Sequence, residues 1–268
     1  GKYIARHVDS PSWREIRGED APGLLLVCNA GEEGLGNLKG VRKICEDYGG
    51  RIKSFCTFDS SLSSIVDRAV GSKRFRVKVR TRGGHSYNDF GNDNAIAGLA
   101  SLVGKLYKIQ VPEGGKTTYN VGMISGGTSV NTIAQEAGML YEFRSDKREN
   151  LEYMERQFME VLDRAKAEGM DVSFQVIGVR PCEGQVDPAQ KQALTDWAHR
   201  VVEEMTGQAP KHHAGSTDCN IPLSLGIPSV CVGSFRGAGA HTREEYVETD
   251  SLEEGYKVAF GMIFGRRD

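Results

Sequence analysis

Apolar and polar positions change rhythm several times along the chain. From Gly23 to Asn29 the run is almost continuously apolar, which predicts a strand buried on both faces of a parallel sheet. Leu38, Val41, Ile44, Cys45 and Tyr48 then recur at helical spacing, so a helix is predicted, capped by Asn37 and ended by Gly49-Gly50. A second strand, Ile52 to Phe58, ends at Asp59. Strand, helix, strand makes a βαβ unit, whose ligands belong at the carboxyl ends of its strands. Glu32, Glu33 and Asp59 fall there.

From about Arg74 the rhythm becomes two-residue: Phe75-Arg-Val-Lys-Val-Arg80 alternates apolar with charged, as a strand with one solvated face does. The pattern then predicts a helix over 94–108, strands over 117–124 and 138–144, a helix over 148–168 and a strand over 172–179. That order, βαββαβ, is the ferredoxin-like module. Residues 74–181 are therefore assigned to an inserted α+β domain, and residues 1–73 and 182–268 to an α/β domain interrupted by it. In the second part a helix over 189–205, a strand over 228–233 and a last helix opened by Ser251-Leu-Glu-Glu254, in the form of a capping box, complete the α/β pattern. Lys2 to His7 has helical spacing without a start signal, so the chain is expected to be the remainder of a longer one.

Of the 268 residues, 39% are hydrophobic and 26% charged, which excludes a disordered chain. Lys and Arg number 34 against 36 Asp and Glu, so no overall field favours a polyanion, and nucleic acid is not expected as a partner. Apolar runs such as Leu24 to Cys28 are far shorter than the ~20 residues of a membrane span. Six scattered cysteines without a C-x-x-C pair read as buried free thiols, and a cytoplasmic location is expected. The 33 glycines gather at four turns beside polar residues, where chemistry is to be sought.

Two adjacent carboxylates, Glu32 and Glu33, at a buried strand's end call for a cation, since both cannot ionise cheaply without one. One could ligate a metal while the other takes a proton from bound water. His241, after Gly237-Ala-Gly-Ala240, offers a neutral nitrogen ligand. Arg82-Gly-Gly-His85-Ser86 closes the first strand of the inserted domain. Gly126-Gly-Thr-Ser-Val-Asn131 and Arg144 present an amide and a guanidinium suited to a carboxylate. Ala214-Gly215-Ser216-Thr217-Asp218 forms a small-residue turn able to enclose an anion. Each motif alone also reads as an ordinary surface loop.

In this order the motifs resemble the zinc-dependent amidohydrolase and metallopeptidase superfamily of peptidase T, glutamate carboxypeptidases, aminoacylases and succinyl-diaminopimelate desuccinylases. The resemblance covers nearly the whole chain, and implies a zinc-peptidase α/β domain with a ferredoxin-like lid and dimerisation domain. It implies Glu32 as general base, Glu33 and His241 on one zinc, and Asp59 on a second. Cobalt or manganese could replace zinc. It further implies His85 as a group that polarises the scissile carbonyl, often across a homodimer. Asn131 and Arg144 would hold the carboxylate of a small peptide or N-acyl amino acid, which Gly215, Ser216 and Thr217 would help enclose.

The upstream H-x-D and bridging aspartate of that superfamily have no counterpart at the expected spacing. His7-Val-Asp9 lies too close to Glu32 to replace them. The 268 residues are therefore expected to be inactive by themselves. A non-catalytic dimerisation or ligand-binding module is the alternative, with Phe75–Arg80 and Ile96–Leu106 offering a pairing edge. A serine hydrolase is disfavoured, because neither Ser86 nor Ser216 sits in a G-x-S-x-G elbow.

Overall fold

The computed structural model describes residues 23–240 and 242–265. The helix expected at Lys2–His7, the His7-Val-Asp9 motif and the predicted ligand His241 lie outside the described residues.

Two four-stranded sheets organise the chain. The first holds β1 (Phe55–Phe58), β2 (Ser64–Ala69), β9 (Lys211–Gly215) and β10 (Ser229–Val232), in the order β1-β10-β2-β9. β10 runs parallel to β1 and antiparallel to β2, and β2 runs parallel to β9. All four residues of β10 are buried, because the sheet is covered on both faces. One face meets Leu194, Trp197 and Val201 of helix α4 (Pro188–Thr206) and Val258 and Met262 of α6 (Ser251–Phe264). The other meets Cys219 and Leu223 around the short helix α5 (Asn220–Ser224). Val41 and Cys45 of α1 (Lys39–Tyr48) then pack on Ile221.

The second sheet holds β3 (Gly71–Arg80), β5 (Thr117–Gly126), β7 (Glu136–Ser145) and β8 (Asp171–Arg180), antiparallel in the order β5-β7-β3-β8. Helices α2 (Ala95–Leu106) and α3 (Arg148–Ala167) cover one face through Phe75, Tyr141, Phe143, Phe158 and Leu162. This is the ferredoxin-like arrangement, and the whole is an α/β fold with an inserted lid module. Asn94 caps α2, accepting from the Ile96 and Ala97 amides. A two-residue pair, β4 (Gly84–His85) with β6 (Thr132–Ile133), closes the far end. β11 (Arg236–Ala238) and β12 (Tyr246–Glu248) form a ribbon before α6.

Five local expectations are corrected. Gly23–Asn29 forms no strand, and Leu25, Leu26 and Val27 are 51%, 47% and 47% exposed. A continuous apolar run encodes a demand for two covered faces, which the described residues do not meet. Asn37 does not cap α1: it and Leu38 are left-handed (φ 53° and 62°), and its side-chain oxygen accepts from the Val179 amide of β8. Ser251 forms no capping box. Its hydroxyl donates to the Glu248 carbonyl and accepts from the Arg236 amide, while Arg236 grips Glu254 with two hydrogen bonds. β3 is no pairing edge, since it lies between β7 and β8; the edges are β5 and β8. Finally, all six cysteines are free, but Cys28 is exposed and Cys56 half-buried.

Candidate functional site

The turn at residues 31–37 is held against the end of the lid sheet by three arginines. Arg180, the last residue of β8 and only 5% exposed, donates from Nη1 to Glu32 Oε1 at 2.9 Å and from Nη2 to the Glu32 carbonyl at 2.6 Å. The same Nη1 reaches Ser216 Oγ at 3.1 Å, which ties β9's end to the turn. Arg74 Nη1 donates to the Gly34 carbonyl at 2.6 Å. Arg42 of α1 donates to the Asn37 and Val179 carbonyls.

Three further carboxylates act on the charge of Glu32 beside this buried guanidinium. Burial raises the Glu32 carboxyl above its ordinary range; Arg180 opposes this, while Glu33, Asp218 and Asp59 add to it. Asp218 is likewise raised, first by burial and also by Asp59, against a hydrogen bond from Asn29 Nδ2 to its Oδ2 at 2.9 Å. Its other oxygen is buried and has no partner among the described residues. Oxygen donors that repel one another, one of them buried and unsatisfied, fit a divalent cation in their chemistry. Among the described residues, no three His, Cys, Asp or Glu side chains stand close enough to share one ion.

The remaining predicted residues divide into two groups. Arg144 sits in a row with Ser72 and Arg180, each opposite the next across the sheet, and so lies at the Glu32 end. It is engaged by Glu142 at 2.9 and 3.3 Å, and Arg74 donates to the same carboxylate at 3.1 Å. Burial pushes Glu142 up, but these guanidinium hydrogen bonds outweigh it and hold it below the carboxylate range. Gly215 ends β9, and Thr217 is buried with its amide on Asn220 Oδ1.

His85 and Asn131 lie elsewhere, on the β4–β6 pair beyond Arg80. His85 Nδ1 accepts from the Tyr87 and Asn88 amides at 3.3 and 3.4 Å, which leaves Nε2 to carry the proton of a neutral ring. Asn131 accepts at its side-chain oxygen from Ser129 Oγ at 2.6 Å, and at its carbonyl from the Ser86 amide. From Ser72 to Arg80 the strand rises about 26 Å, so one chain keeps His85 and Asn131 far from Glu32 and Arg144.

Sequence reasoning missed Arg180 and gave Asp218 no role. Arg180 is 148 residues from Glu32, and only the register of β8 against β3 brings it there. Asp218 closes the small-residue turn already noted, and that was its available signal.

The electrostatics of the Asp218 cluster are testable through stability. A carboxyl whose folded pKa is raised contributes stability below its unfolded value, here about 3.8, and loses it as pH rises through the folded value. Asp218→Asn keeps an acceptor for Asn29. In chelator, its melting temperature should match wild type near pH 4 and exceed it by a few degrees at pH 7.5. A gap that does not widen with pH would show that the cluster is not strained.

The fold and site define an α/β protein whose acidic turn is clamped by an inserted ferredoxin-like module. Residues 69–170 match the family model described as a peptidase dimerisation domain. Across those residues the chain resembles the dimerisation module of the M20 peptidases. It is 24% identical over 191 residues to a p-aminobenzoyl-glutamate hydrolase homolog of Haemophilus influenzae, covering 63% of this chain and 42% of that protein. The fold is similar to aminopeptidase PepT of Bacillus cereus, with a TM-score of 0.67 and 23% identity over 88% of this chain. A tripeptidase of Staphylococcus aureus gives 0.67 and 20%, also over 88%. The chain spans 62% of each of those two structures.

Proposed function

We propose that the whole protein is a metal-dependent hydrolase, zinc first and cobalt or manganese as alternatives, that cuts an amide bond in a small peptide or N-acyl amino acid. It would act in the cytoplasm as a homodimer joined through residues 74–181. No helix among the described residues is long and apolar enough to cross a membrane. The observation that supports the reading is the Glu32 carboxylate held on the buried Arg180 guanidinium, raised by burial and by the charges of Glu33, Asp218 and Asp59. The names of similar proteins, a tripeptidase and an aminobenzoyl-glutamate hydrolase homolog, support amide chemistry.

Glu33, Asp59 and His241 would hold metal, with Asp218 adding its unsatisfied oxygen. Bound metal would supply an acidified water and a polarised carbonyl. Glu32, its carboxyl raised, would take the proton from that water and pass it to the leaving amine. Arg180 would keep Glu32 aimed, and Arg144, released from Glu142, would meet the substrate carboxylate, joined by Asn131 of the second copy, which lies with His85 on the β4–β6 pair. Since no three carboxylate or imidazole side chains among the described residues stand close enough to share one ion, these 268 residues by themselves would bind metal weakly and turn over little substrate.

His85, whose Nε2–H suits a developing oxyanion, would come from the second copy, because β3 separates it from Glu32 within one chain. Tyr87 and Phe90 beside it are 85% and 90% exposed, apolar groups that a partner would cover. Mixing Glu32→Gln and His85→Ala forms of the whole protein tests this. Neither is active alone, and random pairing should restore about one quarter of wild-type turnover, one intact site in each mixed dimer. No recovery after exchange of protomers, shown by mass, would overturn the shared site.

A further inference from the structure

The open face of the lid sheet carries a groove that the site so far described does not use. Phe75, Val77 and Val79 point into the lid core, so Arg74, Arg76, Lys78 and Arg80 line up on the opposite face, beside Arg144 of β7. Five cations there face three carboxylates: Glu142 is shared by Arg74 and Arg144, Glu136 by Lys78 and Arg80, and Asp171 opposes Arg80. Arg76 lies between, exposed, with the Gln175 amide oxygen at 3.4 Å and no carboxylate in ion-pair range among the described residues. Like charges on successive same-face positions repel unless an anion relieves them.

The groove encloses about 650 Å³, within the range of ligand sites. Arg76 and Lys78 line it with Met123 and Leu140, and Gly138, opposite Lys78, leaves the floor between them without a side chain. A larger residue at Gly138 would meet the Val77 carbonyl at 3.2 Å. The groove runs along the face between the Glu32 turn and the β4–β6 pair.

We propose that this groove is a subsite for the acidic side chains of a peptide, so that the substrate class is extended and carries carboxylates away from the scissile bond. Its identification as a substrate site rests on the hydrolase reading; its preference for an acidic peptide does not. A chain of net charge −2 repels long polyanions at distance, whereas a short acidic peptide reaches a local basic patch within a screening length.

Binding of fluorescein-labelled tetraglutamate and tetraalanine, followed by anisotropy, tests this. Tetraglutamate should bind about tenfold more tightly at low salt, with the preference shrinking as salt rises. Arg76→Glu should remove the preference, and Met123→Asp, on the exposed apolar wall, should weaken it. Lys53→Glu, the same charge change at an exposed site before β1, and Glu32→Gln should leave it intact. Equal binding of the two peptides, equal loss in Lys53→Glu, or a single-stranded oligonucleotide held through Arg76 in place of the peptide would overturn the proposal. Intact preference in a whole protein without turnover on any peptide or N-acyl amino acid would overturn the hydrolase reading alone; turnover without preference would overturn the groove alone.

Discussion

Glu32→Gln in the whole protein should lower kcat by about 10²–10⁴-fold, the usual cost of losing a positioned general base. The substitution removes the proton acceptor but keeps the shape. The amide oxygen can still accept from Arg180, and one member of a mutually repelling carboxylate group becomes neutral. Stability at neutral pH should therefore hold or rise, and KM should change little, since the side chain is not proposed to hold the substrate's carboxylate. Single-turnover rates beside thermal melts separate these effects. A kcat within about threefold of wild type would assign the base elsewhere.

Arg180→Ala should cost about 2–5 kcal/mol of stability, measured by urea unfolding, because truncating a buried charged partner strands the other charge. Three acceptors lose their donor together: the Glu32 carboxylate, the Glu32 carbonyl and the Ser216 hydroxyl. Glu32 would face Glu33, Asp59 and Asp218 with no cation beside it, so kcat should fall as well. Arg180 acts as a positioning residue, and Arg180→Lys distinguishes geometry from charge. An ammonium retains the charge but cannot span the three acceptors in the planar fork of a guanidinium, so it should restore less than half of the lost stability. Full rescue by Lys would reduce the role of Arg180 to charge alone.

The lid module was legible because its two periods differ sharply: β3 alternates Phe75, Val77 and Val79 with charges, and α3 repeats Met154, Phe158 and Leu162 at helical spacing. Helix ends were legible where a cap was local, as at Asn94, and not at Asn37 or Ser251, where a strand arriving from elsewhere took the same side chain. β2 escaped notice because Asp67 and Arg68 interrupt its short apolar core and a serine-rich turn precedes it. The acidic turn could be picked out from Glu32 and Glu33, but its clamp could not. Nothing in Val-Ile-Gly-Val-Arg180 marks that arginine apart from Arg76 or Arg80. Likewise, the separation of His85 from Glu32 follows from the β3-centred sheet register rather than from any motif.

β3 thereby serves as a ruler. Its ten residues set the span between the acid turn and the imidazole hairpin, and its hydrogen-bonded neighbours fix where each mark on that ruler falls. Lengthening it, with matching growth in β7 and β8, would move the hairpin outward by about 7 Å for every two residues added. Only even steps are permitted, since an odd one would turn Phe75, Val77 and Val79 toward water. Relatives built on the same plan could thus measure longer or shorter molecules in discrete increments, with no change to the chemistry at either end.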